Sequence, residues 1–198
     1  MKSLLVATCA ALAALATPNL LQERPPQQPD PVEMLKRMAR YTTPGEQHRV
    51  LERFVGEWEA RTSVVMGDQR TTSSGSATFR WKEEGRWLET SWSGELMGLA
   101  VRAHGWLGYD LFKMSYVWTG ITSYDTAMNH AEGDLSRDGR SLVLYGTLDE
   151  YLTGEHDKMV KYAYRFVSDD EIVLEVHDLP IGETGAQVME FRFTRKES

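Results

Sequence analysis

"FVGEWEARTSVVM", residues 54–66, decides the fold. Before it, apolar residues recur at helical spacing; from Trp58 onward they recur at every second position. Trp58, Ala60, Thr62, Val64 and Met66 fall on one side of a strand, with Glu59, Arg61 and Ser63 on the other. Gly56 stands at the switch. A glycine lets the backbone turn tightly there, and a tryptophan at the mouth of the first strand is suited to plugging the end of a barrel.

Downstream the period of two persists. Ala77, Phe79 and Trp81 alternate with Thr78, Arg80 and Lys82, and Leu88, Thr90 and Trp92 follow. After a turn at Met97 and Gly98 comes a strand near 99–107. Phe112, Met114, Tyr116 and Trp118 form the cleanest alternation, facing away from Lys113, Ser115 and Thr119. Further strands are expected near 121–126, 129–135, 141–148, 158–167, 171–177 and 186–195, with "SRDGRS" and "SDDE" at hairpin ends. About ten antiparallel strands joined by short turns read as an all-β, closed, up-and-down barrel, because closure removes the exposed edges of so long a meander. A sandwich is the competitor, and it usually needs long crossover connections, which this sequence lacks.

Upstream, Asp30 caps and Pro31 opens a first helix carrying Met34, Leu35 and Met38 on one face. Thr43, Pro44 and Glu46 have the spacing of a capping box for a second, with Val50, Leu51, Phe54 and Val55 as its apolar stripe. That stripe reads as a lid packed on something else. Residues 17–29, rich in Pro and Gln, read as a disordered leader or tether. At the start, Lys2, an apolar run from Leu4 to Ala16 and small residues at Ala14 and Ala16 have the form of a signal peptide. The run is too short to span a bilayer. The expected organisation is a signal peptide over 1–16, a leader over 17–29, a helical lid over 30–55 and a barrel over 56–198. Cys9, the only cysteine, falls in the signal segment after Thr8, a poor context for lipidation. Its removal leaves an exported chain stabilised by packing alone. The expected location is the periplasm or the extracellular space.

Composition limits the partners. With 41% hydrophobic and 26% charged residues the chain is globular, and a formal charge of −7 without a basic run argues against nucleic acid or an anionic membrane surface. A monomer or weak dimer without a membrane span is expected.

The ends of the barrel carry a second signal. If Phe191 and Phe193 of "FRFTRK" face inward, so does Arg195, which then lies over Trp58 once the first and last strands pair. A Gly-x-Trp start with a basic residue on the final strand resembles the calycin superfamily, the lipocalins and fatty-acid-binding proteins; the resemblance implies a structural role for Trp58 and Arg195. "EQHRVLERFVGEWEA", "GRWLETSWSGELMG", "GWLGYDLFKMSYVW" and "VMEFRFTRK", between residues 46 and 196, resemble the domain-of-unknown-function family one-five-seven-nine, which implies a calycin-like barrel, often exported, and no particular activity.

The expected inward face is Phe79, Trp81, Leu88, Trp92, Val101, Met114, Tyr116, Trp118, Leu142, Leu144, Tyr162, Tyr164, Leu174 and Phe191. Ten strands make an interior wide enough for either an apolar cavity or a core filled with side chains. In the first case Trp92, Tyr116, Trp118, Tyr162, Tyr164 and Phe191 are the candidate ligand-binding residues, and a small hydrophobic or amphipathic molecule is the partner. No catalytic residue, metal ligand or cofactor is assigned: the five histidines lack metal spacing, and no nucleophile elbow or phosphate loop is present. His177 on a late strand is where nitrobindin-type relatives bind haem, but it is out of phase with Ile172, Leu174 and Val176. Asp110, Glu132, Asp134 and Glu190 fall near the rims, and His130 with Glu132 shares a strand face. An isomerase or hydrolase at the barrel mouth is therefore the alternative. A filled barrel presenting outward Trp87 and Trp106 to a protein partner is the other.

Overall fold

Alternation between apolar and polar residues produces ten strands, each hydrogen-bonded to its neighbours in the chain. In the computed structural model, which describes residues 30–83, 85–151, 154–180 and 185–197, these are β1 (Gly56–Met66), β2 (Gln69–Glu83), β3 (Trp87–Leu96), β4 (Leu99–Asp110), β5 (Ser115–Thr122), β6 (Met128–Leu135), β7 (Ser141–Glu150), β8 (Glu155–Phe166), β9 (Glu171–Asp178) and β10 (Ala186–Arg195). β1 pairs with both β2 and β10, so the meander closes into an antiparallel up-and-down barrel. The register sets Trp58 opposite Arg195 and Ala60 opposite Phe193. Met97 and Gly98 both have positive φ, 51° and 81°, which gives the two-residue turn between β3 and β4 the twist such hairpins need.

Among the described residues two helices precede the barrel: α1 (Pro31–Thr42) and α2 (Glu46–Arg49), followed by a 3-10 turn, Val50–Arg53. Asp30 caps α1 as its sequence indicates, its side chain accepting from the Val32 N–H at 3.0 Å. The second start differs from expectation. Thr43 closes α1, and Gly45 is the N-cap of α2, its N–H donating to His48 Nδ1 at 3.1 Å. The two helical pieces also behave differently. No residue of α1 is buried, and Met34, Leu35 and Met38 face solvent. The segment from α2 onward enters the barrel end, where Leu51 and Phe54 are fully buried.

Two strand expectations are corrected. Residues 111–114 form a turn, leaving Phe112 and Met114 74% and 70% exposed. The cause is Asp110, whose Oδ1 accepts from the N–H groups of Phe112 (2.7 Å) and Lys113 (3.1 Å) and bends the chain out of the ladder. Met114 is thus removed from the inward set. The separate strand expected over 121–126 does not form; β5 ends at Thr122 and a loop leads to β6. On the outer wall Trp106 is exposed, whereas Trp87 is half-buried over Gly108, where a Cβ would stand 2.3 Å from its ring.

Candidate functional site

The two ends of the barrel have different chemistry, and the site lies where the plug does not reach. At the plugged end Leu51, Phe54 and Trp58 are 0% exposed. The Phe54 ring meets Tyr164 and Phe166 edge-on at 5.3 and 5.2 Å, and the Arg53 guanidinium sits 3.8 Å above Phe166. Trp58 Nε1 donates to the Phe54 carbonyl at 2.8 Å, tying strand to plug. Arg195 lies 4.1 Å over the Trp58 ring and donates to the carbonyls of Val55 (2.6 Å) and Arg53 (3.2 Å). Gly56 is required at this point: its φ is +141°, and a Cβ would stand 2.5 Å from Arg195 Nη1.

Tyr116 belongs to this end. Its hydroxyl donates to the Gln47 carbonyl at 2.9 Å and its ring packs on Tyr109, centroids 4.9 Å apart. Burial first, then the neighbouring Tyr109 and Asp134, pushes its pKa up to about 12. It faces inward as the sequence indicates, but it anchors the plug rather than lining the cavity.

The other five candidates, Trp92, Trp118, Tyr162, Tyr164 and Phe191, do share one space. A cavity of about 220 Å³ occupies the barrel interior between them and the opposite end. Trp92 meets Phe191 edge-on at 5.5 Å, and Trp118 is tilted on Tyr162 at 5.6 Å. Two glycines hold these indoles against the wall. A Cβ on Gly94 would stand 2.6 Å from the Trp92 ring, and one on Gly120 2.5 Å from that of Trp118, so each Trp-x-Gly lays its ring flat along its own strand. Burial pushes the Tyr162 phenol up to about 12 and Tyr164 higher still, which keeps both neutral donors.

Toward the mouth the lining turns polar with Thr122, Tyr124, Asp125, Asp149 and Tyr151. Sequence reasoning missed these residues because they lie at strand ends and in loops, where no period marks orientation. Burial and the Asp125 charge raise the phenols of Tyr124 and Tyr151. Trp92 Nε1 and Asp125 Oδ1 are buried without hydrogen-bond partners, while the Thr122 hydroxyl meets the Tyr124 phenol and the Asp125 carboxylate is also bonded by the Tyr151 phenol.

The remaining candidates lie elsewhere. His130 Nε2 is 2.8 Å from Glu132 Oε1, and Lys113 pairs with the same carboxylate; these partners hold Glu132 below the usual range on the outer wall. His177 faces Glu175 at 3.4 Å, two residues away on the outer face of β9. Asp110 is occupied with its turn. Glu190 receives Gln187 Nε2 at 3.3 Å and lies 3.6 Å from Arg192. Among the described residues no group of three or more His, Cys, Asp or Glu is placed to hold a metal, and no helix is long and apolar enough to cross a membrane.

A family model described as "Protein of unknown function (DUF1579)" matches residues 43–195. The chain belongs to the DUF1579 family. Among solved structures this DUF1579 barrel is similar to Rv2717c from M. tuberculosis, with 13% identity, a TM-score of 0.60, and coverage of 78% of this chain and 99% of that one. It is also similar to the S-type phycobiliprotein lyase CPES from Guillardia theta, with 13% identity, a TM-score of 0.51, and coverage of 78% and 99%. At these identities the likeness concerns the fold. No curated protein matches.

Proposed function

We propose that this DUF1579 protein is exported and binds or carries a small hydrophobic or amphipathic molecule inside its barrel, outside the cytoplasm. The observation that carries the reading is the cavity of about 220 Å³ walled by Trp92, Trp118, Tyr162, Tyr164 and Phe191. Folded interiors are close-packed, with few voids larger than a water, so a space of this size lined by aromatics is a place for a guest. That a phycobiliprotein lyase is built on a similar barrel supports the reading at the level of architecture. Export is supported by Lys2 and the apolar run from Leu4 to Ala16, which lie outside the described residues.

Titration with N-phenyl-1-naphthylamine, a neutral apolar fluorophore, tests the binding. A saturable, one-to-one rise in its emission with quenching of tryptophan fluorescence is expected. Ala103→Phe, which grows into the cavity beside Trp92, should abolish the rise while the protein stays folded. An equal response from that variant would contradict an interior site.

A further inference from the structure

We infer that the guest carries its hydrogen-bond donors on a positively charged head, as an alkylamine or arylamine does, and that Asp125 receives that head at the mouth of the cavity; this rests on the binding reading above. Among the described residues Thr62 Oγ1, Trp92 Nε1 and Asp125 Oδ1 are buried side-chain polar atoms without a hydrogen-bond partner; Tyr151 bonds the Asp125 carboxylate and leaves Oδ1 unmatched. Trp92 and Asp125 both line the barrel cavity described above. A buried polar atom left unpaired is costly, and an ionised carboxylate is the costliest of the set. A carboxylate oxygen accepts, so the group that satisfies Asp125 Oδ1 must donate.

Charge at this end decides which donor. The lining includes the carboxylates of Asp125 and Asp149 and, among the described residues, no Lys or Arg. Lys158 reaches the same end but is held by Asp178 at 2.7 Å and faces Glu150 at 3.9 Å. His156 stands 3.4 Å from Asp149 with its side chain in solvent, and His104, also in the lining, is exposed. A fatty carboxylate entering here would meet like charge. An ammonium would donate a charge-assisted hydrogen bond to Asp125, with the rings of Tyr124 and Tyr151 beside it to interact with a cation. Its tail would lie along Trp92, Trp118 and Phe191.

Octylamine, octan-1-ol and octanoate share one tail and differ in the head, so calorimetric titration of each into the full protein and into Asp125→Asn reads the head group alone. Octylamine is expected to bind at least about tenfold tighter than octanoate, with octanol between them. In Asp125→Asn the amine should fall to the affinity of the alcohol, while unchanged octanol binding shows that the cavity is intact. Octanoate binding as tightly as octylamine, or an amine preference surviving in Asp125→Asn, would overturn the assignment of the head. If none of the three binds the unsubstituted protein, the binding reading itself fails, and this one with it.

Discussion

Removing the Arg195 guanidinium tests how the barrel is sealed. One side chain stacks on Trp58 and donates to the carbonyls of Val55, Arg53 and Asp169, so it joins the last strand to the plug and to the β8–β9 turn. Arg195→Ala is expected to lower stability by about 2–3 kcal/mol in urea unfolding, the size of a lost charged hydrogen-bond network with its ring contact. Arg195→Lys keeps the charge but not the fork and should recover less than half of that loss. His48 sets the pH response of the same end. Burial lowers its pKa from 6.5, the Arg86 charge adds to this, and a hydrogen bond with the Tyr109 backbone opposes it. Since the folded state holds the ring neutral, its contribution is complete above pH 6.5 and is lost as the pH falls through the lower, folded-state value. A urea midpoint that drops over that window, and a flatter profile in His48→Gln, is the expected outcome. The Trp58–Arg195 pair was legible in the sequence because closure brings the two ends of the chain together. His48 was not, because a lone histidine carries no pattern and its burial depends on β4.

At the level of elements, the helical entry divides into a part that seals and a part that does not. Deleting residues up to 42 removes α1, in which no side chain is buried. Its links to the barrel are the Tyr41 ring stacked on exposed Phe112 at 4.3 Å and the Thr42 carbonyl accepting from Arg86. The deletion should cost less than about 1 kcal/mol, against roughly 2–5 kcal/mol for Leu51→Ala at a fully buried position. Thermal melts of the two variants separate these expectations. Periodicity showed which segments are helical but not which one packs, since Met34, Leu35 and Met38 repeat at the same spacing as Val50, Leu51 and Phe54. The same blindness misplaced Phe112 and Met114. Alternation looks the same in a strand and in a turn, and the signal against a strand was a single Asp that bonds two residues onward. The Trp-x-Gly pairs of β3 and β5 were readable in the sequence in hindsight: each glycine marks the wall on which its tryptophan lies.

For the whole molecule, ten strands close a ring too wide for its own side chains to fill from one end to the other. The N-terminal plug seals one end, and the inward aromatics leave a space of about 220 Å³ toward the other. Strand count and inward parity were legible; the height of a residue along the barrel axis was not. Tyr116 and Tyr162 therefore looked equivalent, yet one bonds Gln47 in the plug and the other walls the cavity. The mouth residues Asp125 and Tyr151 depended on loop conformations that no alternation specifies. The direct test of a hollow, occupied barrel is native mass spectrometry of the protein purified from its own host without detergent. The expected spectrum contains added mass of one small molecule per chain that disappears on denaturation. The apoprotein mass alone, before and after denaturation, would contradict a carried ligand.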